Sequence, residues 1–348
     1  MPTHDFGDGR GAVPATQHSN GGGWVEDTAV VASTVYVSAT AEVYGQAKVS
    51  DNAKLYDSCE VFSTIVTAWA GTTAKSLNAL VRPTVKNEFN YKCTTAGTTG
   101  TSEPTWPTTL GQTVIDGTVT WTAVTIERPI VSGDAQVYGT AKVSGTALVR
   151  DRAQVYDTAD VTGAAIIEGD GQVYDDATVN LSAKVSGFAT VHGTATITDS
   201  AVITENAEVL GATPVSGSAK IAGDATVNAA EVSGTSQISG SAEVIGGLAR
   251  VQGAAKIYGS ARVQGSTVIL GAAQVSDNAL VEGTATVGGA AKVSGSALIS
   301  GACKILGAAV IKNQAKIRDT VTVQGAASVG GNVELTGSQV VEGVTVLT

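Results

Sequence analysis

Val137-Tyr-Gly-Thr-Ala141-Lys, Val143-Ser-Gly-Thr-Ala147-Leu and Val149-Arg-Asp-Arg-Ala153-Gln are consecutive copies of one six-residue phrase, and their reading decides the fold. A fixed short period in a sequence marks a repeat architecture. From Val131 onward, with two one-residue slips, the phrase occurs 36 times; its first position is always Val, Ile or Leu and its fifth is Ala in 25 copies. Positions one and five are therefore the buried pair.

In an extended chain, positions five and one of the next hexad lie two residues apart and point to the same side, as Ala141 and Val143 do. Each short strand then sends one small and one branched apolar side chain inward. Positions three and four, usually Gly, Asp or Asn followed by a small polar residue, supply the turn chemistry that bends the chain after each strand. A helix is excluded, because a 3.6-residue period would rotate these positions off any common face, and Gly and β-branched residues oppose it.

The phrase resembles the hexapeptide repeat of left-handed β-helices. That resemblance implies three hexads per triangular coil, the left hand, parallel stacking and assembly as a homotrimer. The expected fold is thus all-β, a left-handed parallel β-helix of about 14 coils with one small inserted β module. At roughly 4.8 Å per coil, the 12 or so coils after the insert would form a rod about 58 Å long.

Composition agrees with a solenoid rather than with several globular domains: 348 residues hold 42 Gly and only 16 aromatic residues. No signal-peptide pattern or long apolar run is present, which predicts a chain made in the cytoplasm without membrane insertion. A formal charge of −10 argues against a nucleic-acid partner, whose phosphates need a basic footprint. Two of the three cysteines, Cys59 and Cys303, occupy the alanine position of their hexads and read as small core residues; Cys93 lies elsewhere. Neither a disulfide, a metal site nor a cofactor is expected. The acidic run Glu168-Gly-Asp-Gly-Gln-Val-Tyr-Asp-Asp176 falls on corner positions and reads as solvated rather than calcium-binding.

Four segments follow from where the phrase holds. Residues 1–23 have no apolar period and read as an arm or leader. Residues 24–62 are the first coils, with Trp24 as a lid over the open end of the core. Residues 63–129 lack the phrase and read as an inserted β module, since Thr118-Val-Thr-Trp-Thr-Ala-Val124 alternates as strands do and Gly97, Gly100, Gly111 and Asp116-Gly117 mark turns. Residues 130–348 are the main β-helix. The slips, Val227-Asn-Ala-Ala-Glu and Val244-Ile-Gly-Gly-Leu-Ala-Arg, are one residue short and one long, and each must be absorbed as a bulge at a corner.

Within the insert, Tyr91-Lys-Cys-Thr-Thr-Ala-Gly-Thr-Thr-Gly-Thr-Ser-Glu-Pro-Thr-Trp-Pro107 with Asp116-Gly-Thr-Val-Thr-Trp121 resembles a module of tailed-bacteriophage tail fibres and other virion proteins. The leader, with Gly9-Arg-Gly-Ala-Val-Pro and His18-Ser-Asn-Gly-Gly-Gly-Trp24, resembles the entry to hexapeptide solenoids in phage proteins. These resemblances imply a virion structural protein, such as a fibre, spike or capsid-decorating appendage, with Tyr91, Trp106 and Trp121 as candidate contacts for host-surface polysaccharide. Other virion proteins would dock through the arm or through the tip from about Val333.

Many hexapeptide-repeat proteins are acyltransferases with a histidine base at the trimer cleft, so an acyl-CoA enzyme is the alternative. His4 and His18 lie in the leader; only His192 is on the body, at an outward position with no inserted loop nearby. A base needs a positioning partner and a pocket, and the expectation is a protein without catalysis. With 18 residues per coil, Tyr138, Tyr156, Tyr174 and His192 form one outward ladder, continued by Leu210, that either stabilises the sheet or contacts a subunit or sugar. The outward aliphatic pairs Leu148–Ile166 and Leu280–Leu298 are candidate trimer contacts.

Overall fold

A computed structural model describes all 348 residues, and it is an all-β parallel solenoid. Each hexad gives a strand of two or three residues whose position-one side chain points inward. Gln136–Val137, for example, pairs in parallel with Gln154–Val155 on one side and with Lys54–Leu55 on the other. Partners lie eighteen residues apart along the main body, so three hexads close one coil and generate three faces. The first face runs from Val30–Val31 to Val346–Leu347, the second from Tyr36–Val37 to Glu334–Leu335, and the third from Trp24–Glu26 to Val340–Val341. The first face stacks 15 strands, against the 14 or so coils predicted.

The core is one cluster of 74 buried residues that continues on both sides of the insert, built from Val and Ile of position one and Ala of position five. Because the coils are stacked in register, each such side chain sits between its copies one rung above and below, and the core grows by repetition without large side chains. Cys59 and Cys303 take the alanine place and are fully buried; burial pushes the Cys59 thiol up to about 12. The corners use left-handed backbone at position three, with Gly139 at φ 71°, Asp157 at 58° and Asp175 at 55°. Gly, Asp and Asn tolerate this region best. The aspartates do more than tolerate it: Asp57, Asp151 and Asp175 accept the backbone N–H of Gly139, Gly169 and Gly193 one coil on, at 3.1, 3.0 and 3.0 Å. Acidic corners are thereby explained as backbone caps.

Both slips fall at the corner between the second and third faces. Seventeen residues separate Val215 from its partner Val232, and nineteen separate Val244 from Val263. There the chain runs straight through the corner as two long strands, Thr226–Val232 and Glu243–Val251, paired with a bulge between Ala229 and Glu231. Thr213 fits this irregularity: its hydroxyl accepts the Ala229 N–H at 2.9 Å and donates to the Leu210 carbonyl at 2.7 Å. Val232 and Val251 remain fully buried, so neither slip turns the later hexads inside out.

The insert leaves and re-enters at one corner without disturbing the stack. Val49 pairs with Val131, Leu55 with Val137 and Val61 with Val143, as if the intervening residues were absent. The module itself is a four-stranded antiparallel sheet in the order Leu80–Val81, Phe89–Thr95, Val119–Thr125 and Thr113–Asp116, with a separate two-stranded antiparallel pair of Ala74–Lys75 on Gly97–Thr98. Its core of six buried residues is separate from that of the solenoid.

The leader is folded, contrary to the expectation of an arm. Thr3–His4 and Val13–Gln17 form an antiparallel hairpin that extends the sheet edge at Trp24–Glu26. His4 stacks on Trp24 at 4.5 Å, Phe6 packs on Tyr44 at 5.0 Å, and Arg10 grips Glu26 with two bonds of 2.9 and 2.7 Å. Composition gave no sign of this, because the hairpin is held by contacts to the first coils rather than by an apolar period of its own. Its edge strand covers the N–H and C=O groups that an open solenoid end would leave unpaired.

Candidate functional site

The insert aromatics form the inside of the module. Tyr91 and Trp121 are fully buried with Val81, Cys93, Val119 and Ala123, and Trp106 packs on the Tyr91 ring at 4.2 Å. Their polar edges are all spoken for. Asp116, itself buried, accepts from Trp69 Nε1 at 2.7 Å, from Trp121 Nε1 at 3.0 Å and from the Gly100 N–H at 2.7 Å. The Tyr91 hydroxyl donates to the Pro107 carbonyl at 2.7 Å, and Trp106 donates to Glu103 at 2.7 Å. Tyr91 and Trp121 therefore present no ring to solvent, which corrects their assignment as a sugar-contacting surface. The motif that carries them is the module's packing signature; only Trp106 is partly exposed.

The cleft of the module lies elsewhere, against the solenoid. A groove of about 730 Å³ is lined by Leu80, Lys92 and Leu110 from the module, by Glu127 on the returning chain, and by Gly145 and Thr146 of a solenoid corner. Asn90, which also lines this groove, forms with Gln46 a buried reciprocal amide pair, 3.1 and 2.8 Å, that ties the module to the first coils. Nothing in the insert's alternation pointed to this groove, since it is made by two segments distant in sequence.

The outward ladder is present as a continuous stack. Ring centroids are 4.7 Å apart for Tyr138–Tyr156, 4.8 Å for Tyr156–Tyr174 and 4.7 Å for Tyr174–His192, with planes within 2 to 4° of parallel. Coil stacking sets this spacing, which is that of neighbouring strands. Tyr138 and Tyr156 donate to Gln154 and Gln172 on the next coil at 3.3 Å each, and His192 Nε2 meets Glu208 at 2.9 Å. Burial, together with neighbouring tyrosines and corner aspartates, pushes the Tyr156 hydroxyl well above the ordinary phenol range. Since each inner ring has both faces covered by its neighbours, only edges reach solvent, and the geometry is that of a cross-strand stabiliser. Tyr56 occupies the same column below Tyr138, by the pairing of Leu55 with Val137, but its ring packs on Tyr36 at 5.2 Å instead. The eighteen-residue period, counted across the insert, would have found it.

His192 has a ring face on Tyr174 and lines neither the groove beside the module nor the smaller clefts at the first coils. His4 belongs to the end cap and His18 to the turn before Trp24. In the acidic run, Arg150 and Lys184 hold Glu168, and Arg152 holds Asp170 with bonds of 2.6 and 2.5 Å. No group of His, Cys, Asp and Glu is arranged to hold a metal ion, and no helix is long and apolar enough to cross a membrane.

A family model described as the YdcK beta solenoid repeat matches residues 172–187 and 273–289. Each match covers about one coil of the rod, so the similarity is one of repeat and fold. No curated protein matches the chain.

Proposed function

We propose that this chain is a non-enzymatic structural component of a tailed-phage particle, a trimeric fibre, spike or capsid-decorating appendage that meets the host surface. The observation that carries this reading is the insert: its Tyr91–Pro107 and Asp116–Trp121 segments resemble a tail-fibre module, and they build a compact unit with a core of its own at the side of a rod. A rod with a stacked core and a covered starting edge suits a load-bearing spacer, and a lateral module suits a contact element held away from the axis. Trimerisation draws support from the outward aliphatic rows, in which Leu148 pairs with Ile166 on the first face and Leu280 with Leu298 on the second. Outward on the third and first faces, Val340 and Val346 are 60 and 64% exposed, an apolar surface suited to another particle protein.

Labelling intact particles with an antibody to this chain tests the location, and light scattering of the purified chain tests the trimer. Signal confined to unassembled protein, or a monomer at micromolar concentration, would remove the respective half of the reading. Acyl transfer draws one element from the geometry, the Glu208 carboxylate against His192 Nε2, but the ring itself is stacked on Tyr174 in the outward ladder.

A further inference from the structure

The pairing register assembles a charged track that no local motif displays. On the first face, the outward residues at position six run Lys184, Val202, Lys220, Gln237, Lys256, Gln274, Lys292 and Val310, each paired to the next across adjacent rungs. Lysines thus recur at every second coil, roughly 9.6 Å apart at 4.8 Å per rung. The parallel outward row, at position two, adds Lys312 and otherwise carries small or neutral residues such as Ser239, Ser276 and Ser294. Between Lys184 and Ser328 this face bears no carboxylate in a chain of net charge −10. Lys184 is paired with Glu168 one rung below, whereas Lys220, Lys256 and Lys292 are exposed and enter no ion pair.

The carboxylates on the flanking corners are engaged. Asp199, Glu205 and Asp277 accept the N–H groups of Gly217, Gly223 and Gly295 at 2.8, 2.7 and 2.8 Å, and Asp224 accepts from Asn206 at 2.8 Å. The other two faces mix signs over the same span, with Glu243 beside Arg262 on the second and Glu231 beside Arg250 on the third. Tyr258 stands on the same rung as Lys256, beside the lysine column, 39% exposed and without an aromatic partner.

We infer that the first face from Lys220 to Lys292 is a binding track for a linear acidic polysaccharide lying along the rod axis. A cationic column with a repeat of about 10 Å matches a chain that carries one carboxylate every second sugar, and Tyr258 supplies an apolar platform for one sugar ring. The same unpaired column opposes packing this stretch against its copy in another subunit. The inference deepens the surface-binding part of the reading above and rests on it only for biological setting: particle labelling tests that setting, and the following binding experiment tests the track.

Binding of the full chain to immobilised hyaluronan, a linear polymer with one carboxylate per disaccharide, is measured at low ionic strength, with neutral dextran and single-stranded DNA as comparison ligands. Lys220→Gln, Lys256→Gln and Lys292→Gln combined should weaken hyaluronan binding by about tenfold, the sum of three modest ion pairs. The same count of charge removed elsewhere, Lys54→Gln, Lys304→Gln and Lys316→Gln, should leave it within about twofold. The triple Lys→Arg variant of the track should retain binding, and Tyr258→Ala should weaken hyaluronan alone. Equal losses in both glutamine triples, loss in the arginine triple, no binding by the parent chain, or tighter binding to DNA than to hyaluronan would each overturn the inference.

Discussion

The solenoid and its inserted module solve the same problem in opposite ways. The solenoid keeps aromatic rings outside, stacked edge-out from Tyr138 to His192, and fills its interior with Val, Ile and Ala. The module places Tyr91 and Trp121 inside and ties the indoles of Trp69 and Trp121 to one buried carboxylate, Asp116. Size explains the contrast. A coil borrows its core from the coils above and below, whereas a small isolated sheet must fill its volume with a few large side chains. The sign of an aromatic residue is therefore opposite in the two regions: outside it adds stacking, inside it is the core.

The sharpest way to break this comparison is to charge the thin core. Val179→Asp places an unpaired carboxylate into the stack between Val161 and Ile197, and should cost several kcal/mol. A thermal melt with an unchanged midpoint would show that position one is not closed to water. Next comes the module's hub. Asp116→Ala orphans three donors, each costing about 1–3 kcal/mol when buried, and should collapse the tryptophan environment of the module while the solenoid signal in circular dichroism persists. Simultaneous loss of both signals would mean that the two cores fold as one.

A ring on the outside should matter less. Tyr156→Ala removes two stacked pairs and should cost roughly 1–3 kcal/mol by chemical denaturation, with Tyr36→Ala, at an isolated tilted pair, costing about 1 kcal/mol or less. Equal effects would deny the ladder any cooperative role. The smallest effect concerns the end cap, which borrows from both strategies. Burial pushes the Glu26 carboxyl up, but Arg10, the Gly45 N–H and Thr28 together hold it below the ordinary carboxylate range. A depressed pKa in the folded state means that this contribution is full at pH above the ordinary value of 4.5 and fades as pH falls through the folded value. Hydrogen exchange at residues 13–17 should accelerate in that acidic window ahead of the main coils, and Glu26→Gln should abolish the pH dependence.

Reading depth followed the range of the interactions. The hexad fixes which side chains turn inward through a two-residue periodicity, so Val137, Ala141 and Val143 could be placed from neighbours alone. The ladder needed one further quantity, the coil length, which came from resemblance and is now visible in the pairing of Gln136 with Gln154. Long-range structure was opaque. The leader's hairpin depends on His4 meeting Trp24 and Arg10 meeting Glu26, and no local pattern encodes those contacts. The module's motif named its important aromatics correctly but not their side of the sheet, because alternation such as Thr120-Trp121-Thr122 specifies two faces without saying which one is buried. The lysine track was equally available from the repeat, and becomes apparent only when position six is followed across coils.

The paired slips give the rod a grammar for insertion and deletion. Wherever strands repeat at eighteen, a whole coil can be copied or lost and every column reconnects, lysine track included. Between Val215 and Val263 the copied unit changes length, to seventeen residues for one coil and nineteen for the next, because each offset is confined to the corner between the second and third faces while Ile238 and Val244 between them stay buried in phase. A coil copied from this stretch carries its own corner with it, so the bulged corner marks a fixed place along the rod against which the gain or loss of other coils can be counted.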